Sequence, residues 1–405
     1  MKFVVLLLAL LAVASADKWA VLVSGSEEYW NYRHQADVAH AYHILIQNGY
    51  KPENVILFSA NDAADDEYNP FPGTLYNRPG NNSINYNEGL VIDYEGHKAT
   101  SENYLKVLTG DESAGGKVLK STSEDIVFLA FFDHGSNDLI CFPYEDRLYR
   151  DDLEKAFATM KEKKMFKKVV YYMEACHSGS MFTGLEEDGL IYGLAAALPN
   201  QSSYAFYCGR EAVVNGKNLG TCLGDEFAIR WMENVDEGNL TQTFGDHYAY
   251  LRKKVWKSQV SKYGDMSFQS DPISEVFEGD LAHLKLNKKY EKTESIRGDI
   301  YLNKLNFYKR QMTTTNSREA QAEYYKELDL INRVDKYFEE LIAKMKKFGK
   351  IVDILPIPGP IRNMDCYKDS INFVENKFGR SDYMMKYFHT LASMCEQYNE
   401  TPAYL

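Results

Sequence analysis

The chain has 405 residues, of which 45% are hydrophobic, and a formal net charge of −12 at neutral pH. This length leaves room for a large core and for more than one domain. The negative charge disfavours nucleic acid as a partner, because no basic stripe offsets the repulsion from phosphate.

The charge is unevenly distributed along the chain. Residues 1–280 carry 25 Lys and Arg against 41 Asp and Glu, a net of −16. Residues 281–405 carry 21 against 17, a net of +4. This asymmetry predicts two units that attract one another.

The first residues have the three parts of a secretory signal peptide. Lys2 precedes an apolar run from Phe3 to Val13, and the small residues Ala14-Ser15-Ala16 follow it. The run is too short to cross a bilayer, and no later stretch is apolar for about 20 residues. We therefore expect a signal peptide over residues 1–16, no membrane span, entry into the secretory pathway, and delivery to a lysosome or vacuole or to the outside of the cell.

Residues 17–280 alternate strand and helix patterns. The predicted strands are near-continuous apolar or aromatic runs, as buried parallel strands are: Trp19–Ser24, Val55–Ser59, Ile126–Phe132, Val169–Met173 and Tyr204–Tyr207. Between them, Ala36–Gln47 and Asp152–Met165 place apolar residues on one helical face. The alternation indicates an α/β domain, a mostly parallel sheet with helices on both faces, whose ligand site lies beyond the carboxyl ends of the strands.

The pattern changes after residue 280. Residues 281–316 are rich in Lys and Asn and are predicted to be a linker. Helical spacing returns in three stretches, Arg318–Phe348, Cys366–Phe378 and Ser381–Gln397. Residues 317–405 are therefore predicted to form an all-helical unit.

The six cysteines and the glycosylation sequons fit an oxidising compartment. Two pairs, Cys208 with Cys222 and Cys366 with Cys395, could close as disulfides and leave Cys141 and Cys176 free. Sequons occur at Asn81, Asn200, Asn239 and Asn399.

Two predicted strands end in reactive side chains. Ile126–Phe132 runs into Asp133-His134-Gly135-Ser136, and Val169–Met173 runs into Glu174-Ala175-Cys176. A thiol attacks an acyl carbon only after losing its proton, and an imidazole on the neighbouring strand end can take that proton. Backbone N–H groups of Gly135 and Cys176 can hold the resulting oxyanion. A lone Cys or His is more often structural, but the pair at two strand ends favours Cys176 as nucleophile and His134 as base.

No metal or other cofactor is expected. No two histidines share a helix face at ligand spacing, and His40 and His43 flank an otherwise core-facing helix.

Five segments, in this order, resemble the legumain family of asparaginyl endopeptidases. They are Asn31-Tyr32-Arg33-His34-Gln35-Ala36-Asp37, Asp133-His134-Gly135-Ser136, Glu174-Ala175-Cys176 with Ser178-Gly179-Ser180, Ser202-Ser203-Tyr204-Ala205, and Leu223-Gly224-Asp225. The resemblance covers essentially the whole chain after the signal peptide, more weakly after Gly279.

The resemblance implies a caspase-like fold and hydrolysis on the carboxyl side of asparagine through a thioester. It makes Asn31 the residue that orients the His134 imidazole, and it builds the specificity pocket from five residues, Arg33, His34, Glu174, Ser203 and Asp225. This set suits a primary amide, since carboxylates accept from its NH₂ while an arginine donates to its oxygen. A substrate aspartate would be repelled by the pocket carboxylates, so it should fit only when protonated at acidic pH.

Two further residues of the motifs carry specific expectations. In the family, the residue corresponding to Asp133 can convert to a succinimide linked to peptide joining. The residue after the nucleophile is usually acidic in the family, and here it is His177. We keep His134 as the base because His177, next along the chain, is expected to point away from the thiol.

The resemblance also implies a zymogen, in which the C-terminal helical unit covers the site until cleavage after an asparagine in acid. Asn316 is the candidate, although with Glu319 three residues on it would equally serve as a helix cap. Acid would protonate carboxylates of the −16 part and weaken its hold on the +4 part. The implied partners are peptide and protein substrates, the chain's own C-terminal unit, and cystatin-type inhibitors.

Three rival interpretations stay open. A peptide ligase would use the same acyl-enzyme with an amine in place of water. The catalytic subunit of the glycosylphosphatidylinositol-anchor transamidase shares the His and Cys blocks but normally carries a C-terminal membrane anchor. A non-catalytic secreted binding glycoprotein would predict a degraded site, whereas every expected residue is present.

Overall fold

The computed structural model describes residues 16–279, 296–347 and 360–397. The expected signal peptide up to residue 15, residues 281–295 of the predicted linker, and Asn399 lie outside the described residues. Within the described ranges, no helix is long and apolar enough to cross a membrane.

The strands are short and the longer helices lie at the C-terminal end. The strands, in chain order, are β1 (Lys18–Ser24), β2 (Val55–Ser59), β3 (Tyr94–Glu95), β4 (Ile126–Phe132), β5 (Gly135–Ser136), β6 (Leu139–Phe142), β7 (Asp146–Tyr149), β8 (Lys168–Glu174), β9 (Ile191–Ala195), β10 (Ala205–Phe206), β11 (Val213–Val214), β12 (Lys217–Asn218), β13 (Gly224–Asp225) and β14 (Ser261–Gly264). The helices are α1 (Tyr32–Gln47), α2 (Ser101–Leu108), α3 (Arg150–Glu162), α4 (Glu226–Asp236), α5 (Phe244–Lys254), α6 (Ser274–Phe277), α7 (Asn303–Thr315), α8 (Arg318–Lys347), α9 (Met364–Phe378) and α10 (Phe388–Gln397).

The central sheet has seven strands in the order β14-β9-β8-β4-β1-β2-β3. Every neighbouring pair is parallel except β14, which runs antiparallel to β9. Along β1, Ala20 and Leu22 pack into the core beneath α1, α4 and α5, while Val21 and Val23 pack into the core beneath α2 and α3. The alternation buries both faces of the sheet, so the predicted α/β class with helices on both faces is confirmed.

Four of the five predicted strands are in the central sheet, and the prediction of a buried parallel strand at Tyr204–Tyr207 is wrong. Only Ala205–Phe206 is extended there, and it pairs antiparallel with β13 in a separate two-stranded sheet. Periodicity does not tell a short apolar run in the core sheet from one in a side hairpin. The central sheet instead takes β9, whose short run contains Gly193 packed against the Phe182 ring.

Part of the predicted linker, Asn303–Thr315, is helical and forms α7. Although its composition is rich in Lys and Asn, α7 has an aromatic face. The Phe307 ring lies 5.0 Å from Tyr68, 5.9 Å from Tyr29 and 6.3 Å from Trp30, measured between centroids. These partners come from distant parts of the chain, so tertiary packing stabilises a helix that local propensity alone does not predict.

The C-terminal tail (residues 318–347 and 360–397) is helical, as predicted, although Asp382–Tyr387 forms a 3₁₀ helix before α10. Its core is continuous with the active-site end of the sheet, since Val334, Phe338 and Leu391 belong to the same buried cluster as Leu139 and Cys176. The tail therefore packs over the carboxyl ends of the central strands, where the sequence places the reactive residues.

Candidate active site

The thiol of Cys176 lies in a tight turn just after β8. It is fully buried, forms no disulfide, and its sulfur accepts a hydrogen bond from the backbone N–H of Ser203 at 3.1 Å. Burial raises the pKa of this thiol to about 11. While it is buried in this way, the sulfur is therefore protonated and unreactive across the neutral and acidic pH range.

His134 and Cys176 lie in neighbouring turns because their strands are paired in register. Phe132 pairs with Glu174 across β4 and β8, so His134 and Cys176 each lie two residues beyond a paired strand end. The two turns approach closely at Gly135, where an added Cβ would lie 2.7 Å from the carbonyl oxygen of Cys176. Only glycine fits that approach.

Asn31 determines which imidazole nitrogen can act. Its side-chain oxygen lies 2.9 Å from His134 Nε2, which assigns the proton to that nitrogen. His134 Nδ1 is buried and has no hydrogen-bond partner among the described residues, so it is the nitrogen left to take a proton from a thiol. Burial lowers the pKa of His134 to about 4, partly offset by the charge of Asp382 from the tail.

The predicted pocket residues come together beside the thiol. Arg33, on the first turn of α1, donates from Nε to Asp225 at 3.0 Å, and both side chains are almost fully buried. Glu174, the last residue of β8, accepts from the backbone N–H of Ala228 in the first turn of α4 at 3.1 Å. The other Glu174 oxygen and Arg33 Nη2 have no hydrogen-bond partner within the described part of the chain. The pocket thus presents one unused acceptor and one unused donor.

Burial sets the charge of this pocket. It raises the pKa of Glu174, with a further contribution from the nearby charge of Asp225. It also raises the pKa of Asp37, a residue that the sequence analysis did not assign, whose carboxylate accepts from the backbone N–H of Asp225 at 3.0 Å. Arg33 is the one cation beside the three acids Glu174, Asp37 and Asp225. Its single positive charge does not balance three negative charges, so protonation of these acids is favoured.

His34 and Asp133 lie next to the catalytic pair. His34 Nδ1 is 2.9 Å from an Asp133 oxygen and 2.6 Å from the Ser26 hydroxyl, and its Nε2 is 3.4 Å from Asp225. Burial raises the pKa of Asp133 and lowers that of His34. Both shifts favour a neutral pair.

The same residues bring metal-ligand atoms together. His34, Asp133 and His134 each place one such atom within 4.8 Å of the others. However, both His34 nitrogens and His134 Nε2 already contact polar groups of the protein. We assign no metal to this group, and the expected lack of a cofactor stays a prediction.

Sequence reasoning missed the residues that cover the site. The cleft segment (residues 296–302) pairs antiparallel with β10, with the Gly298 N–H donating to Ala205 O at 3.0 Å and the Cys208 N–H donating to Ile296 O at 3.2 Å. The segment then brings the Tyr301 phenol against the Cys176 thiol. From the tail, Asp382 lies 3.4 Å from His134 Nε2. No local pattern marks these residues, because their role depends on contacts with parts of the chain that are distant in sequence.

Asn303 follows the cleft segment and reaches the pocket. With its amide turned so that both polar atoms are satisfied, its oxygen accepts from Arg33 Nη1 at 2.9 Å and its NH₂ donates to Asp299 O at 3.2 Å. Arg33 Nη1 also lies 3.2 Å from Asn31 Oδ1. A primary amide of the chain itself therefore contacts the arginine of the predicted specificity pocket.

The remaining predicted positions are placed as follows. Cys208 is bonded to Cys222 and Cys366 to Cys395. Asn81, Asn200 and Asn239 are exposed. Asn316 is exposed between α7 and α8 in the left-handed conformation, with φ 54°. Ser317, whose hydroxyl accepts from the Ala320 N–H at 3.2 Å, caps α8, so the alternative role of Asn316 as the cap is wrong.

A buried thiol and an amide-oriented imidazole at neighbouring tips of a parallel sheet are typical of enzymes that attack acyl groups through cysteine. The chain belongs to the peptidase C13 family, whose model matches residues 18–282. It is therefore a cysteine endopeptidase.

Several relatives are similar over most of the chain. Legumain of Rattus norvegicus is 34% identical and covers 94% of this chain and 88% of its own length. The vacuolar-processing enzyme delta-isozyme of Arabidopsis thaliana is 32% identical, with coverages of 94% and 87%. The hemoglobinase of Schistosoma mansoni is 42% identical over 66% of this chain and 60% of its own.

Among solved structures, caspase-1 of Spodoptera frugiperda aligns with a TM-score of 0.38 at 12% identity, covering 66% of this chain and 92% of that one. That likeness is too low to bear on the assignment.

Proposed function

We propose that this cysteine endopeptidase cleaves on the carboxyl side of asparagine, with Cys176 as nucleophile and His134 as general base. The observation that carries the proposal is the contact between Arg33 and the Asn303 amide oxygen. A substrate asparagine offers the same oxygen to Arg33, and its NH₂ can donate to the Glu174 oxygen that lacks a partner among the described residues.

The chemical steps follow from the hydrogen bonds of the site. His134 Nδ1 takes the thiol proton, and the sulfur attacks the asparagine carbonyl while the N–H groups of Gly135 and Cys176 hold the oxyanion. The imidazolium then gives its proton to the leaving amine, which leaves a thioester. Water, deprotonated by the same nitrogen, hydrolyses the thioester and restores the thiol. Asn31 keeps the proton on Nε2 throughout.

Aspartate is the expected second substrate residue, at acidic pH only. Glu174 and Asp225 face the same pocket as Arg33, so a charged carboxylate of the substrate would meet like charges. A protonated aspartate is neutral and close to asparagine in shape.

The chain is made as a zymogen in this proposal, with residues 17–280 as catalytic domain, 281–316 as activation region and 317–405 as prodomain. Three contacts support it: the cleft segment pairs with β10, Tyr301 covers the sulfur, and Asp382 approaches the base. The tail is held by further ion pairs, including a two-pronged contact between Arg147 and Glu375. Asn316 is the proposed activation site, and cystatin-type inhibitors would compete for the same cleft.

The location is proposed from the relatives and the chemistry. A signal peptide, glycosylation of the exposed sequons and a final acidic compartment agree with the word vacuolar in the name of the Arabidopsis relative. Acid is also the condition under which processing is expected.

The test is incubation of the purified full chain in acid with a peptide containing one asparagine, read by mass spectrometry. Wild type should cleave after the asparagine, and Cys176→Ala should lose essentially all cleavage. Cys141→Ala is the matched control, since Cys141 is the other free cysteine in the described residues and lies near the site. Cleavage retained by Cys176→Ala, or after residues other than Asn and Asp, would contradict the proposal.

The rival peptide ligase is separated in the same experiment. Adding an amine acceptor gives a joined product of higher mass if the thioester is intercepted by the amine. Asp133 is the residue whose succinimide would accompany such joining, with the backbone nitrogen of His134 closing the ring on its buried carboxyl.

A further inference from the structure

Arg297, in the cleft segment, occupies a site built for a cation. Its guanidinium pairs with Glu226 and lies 5.4 Å from the centre of the Phe206 ring and 5.2 Å from that of Trp256. Glu226 is 1% exposed and Phe206 is fully buried, whereas Trp256 is 75% exposed at the rim. One carboxylate between two aromatic rings is the surrounding that a guanidinium prefers.

Glu226 keeps unused acceptor capacity in this site. Its Oε2 is buried without a hydrogen-bond partner among the described residues. The neighbouring cation Arg230 stacks on Phe206 at 4.6 Å but directs its own ion pair to Glu233 at 3.4 Å. When the cleft segment leaves, Glu226 therefore loses the guanidinium of Arg297.

The cleft segment follows a path that a substrate strand can follow. It runs antiparallel to β10 from Ile296 to Gly298 and then turns into a 3₁₀ helix, Ile300–Leu302, which brings Tyr301 to the sulfur. Ala205 lies opposite Gly298, so in an extended register Ser203 lies opposite the residue two places further on. The Ser203 N–H donates to the Cys176 sulfur. The substrate residue opposite Ser203 is therefore the one whose carbonyl is attacked. Arg297 stands three residues before it.

We propose that Glu226, Phe206 and Trp256 form a subsite that binds a basic side chain, arginine above all, at the third residue before the cleaved asparagine. This inference rests on the proposed function, since it concerns the substrate of the same site. Arg297 occupies the subsite in the covered state and is replaced by the substrate's arginine after activation.

The experiment compares three reporter peptides with the acid-activated full chain. They are Arg-Ala-Ala-Asn, citrulline-Ala-Ala-Asn, which has the same shape without the charge, and Ala-Ala-Ala-Asn. We expect kcat/KM for the arginine peptide to exceed that for the citrulline peptide by about 10-fold, and the ratio to fall as salt is added. In Glu226→Gln the ratio should fall to about 1, and in Glu226→Lys it should fall below 1, because the introduced cation repels the arginine.

The matched control is Glu237→Gln, which removes an exposed carboxylate just beyond the end of α4 and should keep the wild-type ratio. The alanine peptide reports whether each variant is folded and active. If the Glu226 variants cleave nothing, the subsite is tested by the wild type alone, through the ratio of kcat/KM between the arginine and citrulline peptides and the dependence of that ratio on salt.

A digest of a mixed peptide library separates failure of this inference from failure of the proposed function. The residue three places before each cut can be read whatever residue precedes the cut. Enrichment of Arg and Lys there supports the subsite, even if the cuts fall after residues other than Asn. Arginine and citrulline peptides cleaved within twofold by the wild type, or an unchanged ratio in Glu226→Gln, would overturn it.

Discussion

At the scale of single residues, Asn31 connects the catalytic pair with the pocket. Its one side-chain oxygen lies 2.9 Å from His134 Nε2 and 3.2 Å from Arg33 Nη1. The same atom therefore sets the tautomer of the base and fixes the guanidinium that contacts a substrate amide. Asn31 touches neither the sulfur nor the substrate in this arrangement, so it acts as a positioning residue.

Replacing Asn31 by Asp tests that role through the pH profile. A carboxylate at the same place stabilises the imidazolium, so the pKa of His134 in the active enzyme should be higher in Asn31→Asp than in the wild type. The acidic limb of kcat/KM against pH should then move to higher pH by about one unit, with a smaller change in KM than in kcat. An acidic limb that stays in place would show that Asn31 does not control the base.

At the scale of elements, the cleft segment and α7 lie over the site, and in the proposed zymogen they keep it closed. The segment is held by pairing with β10, by the ion pair from Arg297 to Glu226, and by the aromatic contacts of α7. Tyr301 is buried at its centre, next to the sulfur. Removing the phenol should therefore uncover the thiol without removing the segment.

We expect Tyr301→Ala in the unprocessed chain at neutral pH to speed alkylation of Cys176 by at least about 10-fold, since cover by a local contact is lost. Site-resolved mass spectrometry after iodoacetamide treatment measures the rate, with Cys141 as an internal reference. Tyr325→Ala, which removes an exposed tyrosine of α8, is the control and should leave the rate unchanged. Equal rates in both variants would place the barrier elsewhere.

The junction between α7 and α8 is where chain cleavage is expected to start. Asn316 is exposed and outside both helices, whereas Asn303 is buried and Asn306 is half-buried within α7. Asn316→Gln should slow acid processing several-fold, because glutamine is too long for a pocket fitted to asparagine. Gel electrophoresis over time follows the reaction, with Asn306→Gln as the control. Unchanged processing of Asn316→Gln would move the site to another asparagine.

The sequence predicts the site better than it predicts what covers the site. The strand β4 is a continuous apolar run that leads into Asp133-His134, so the local sequence predicts both the strand and the reactive residues that follow it. β9 is missed because Gly193 and a length of five residues weaken its signal. α7, Tyr301 and Asn303 are missed for another reason: what stabilises them lies in parts of the chain far away in sequence, such as Tyr68 and Arg33.

At the scale of the whole molecule, the charge asymmetry favours attraction between the tail and the catalytic unit. Protonation of carboxylates does not by itself account for release of the tail in acid. Burial raises the pKa of Asp138, which holds the Ile361 N–H of the tail, to about 6. A group whose pKa is raised by docking binds protons more readily when docked. Its contribution to docking is present at low pH and is lost as the pH rises through about 6, so it opposes release in acid.

Histidines at the interface have the sign that release requires. Burial lowers the pKa of His134 and of His177 to about 4 from an ordinary value of 6.5, and His389 of the tail adds to the shift of His177. Once the tail leaves, we expect the pKa of each histidine to return toward 6.5, so that each binds a proton that it does not bind in the docked form. Docking is therefore weakened as the pH falls from about 6.5 to about 4, by up to about 1.4 kcal/mol per histidine and pH unit.

The tail should thus open between about pH 6.5 and 4, and His177 should set part of that range. Small-angle scattering of Cys176→Ala, which cannot process itself, gives the radius of gyration as the pH falls. We expect expansion in this window, and a midpoint lower by about half a pH unit when His177→Gln is added, because one proton acceptor of the open state is gone. His97→Gln, at an exposed position outside the contact with the tail, is the matched control. A midpoint that does not respond to His177→Gln would show that His177 takes no part in the trigger.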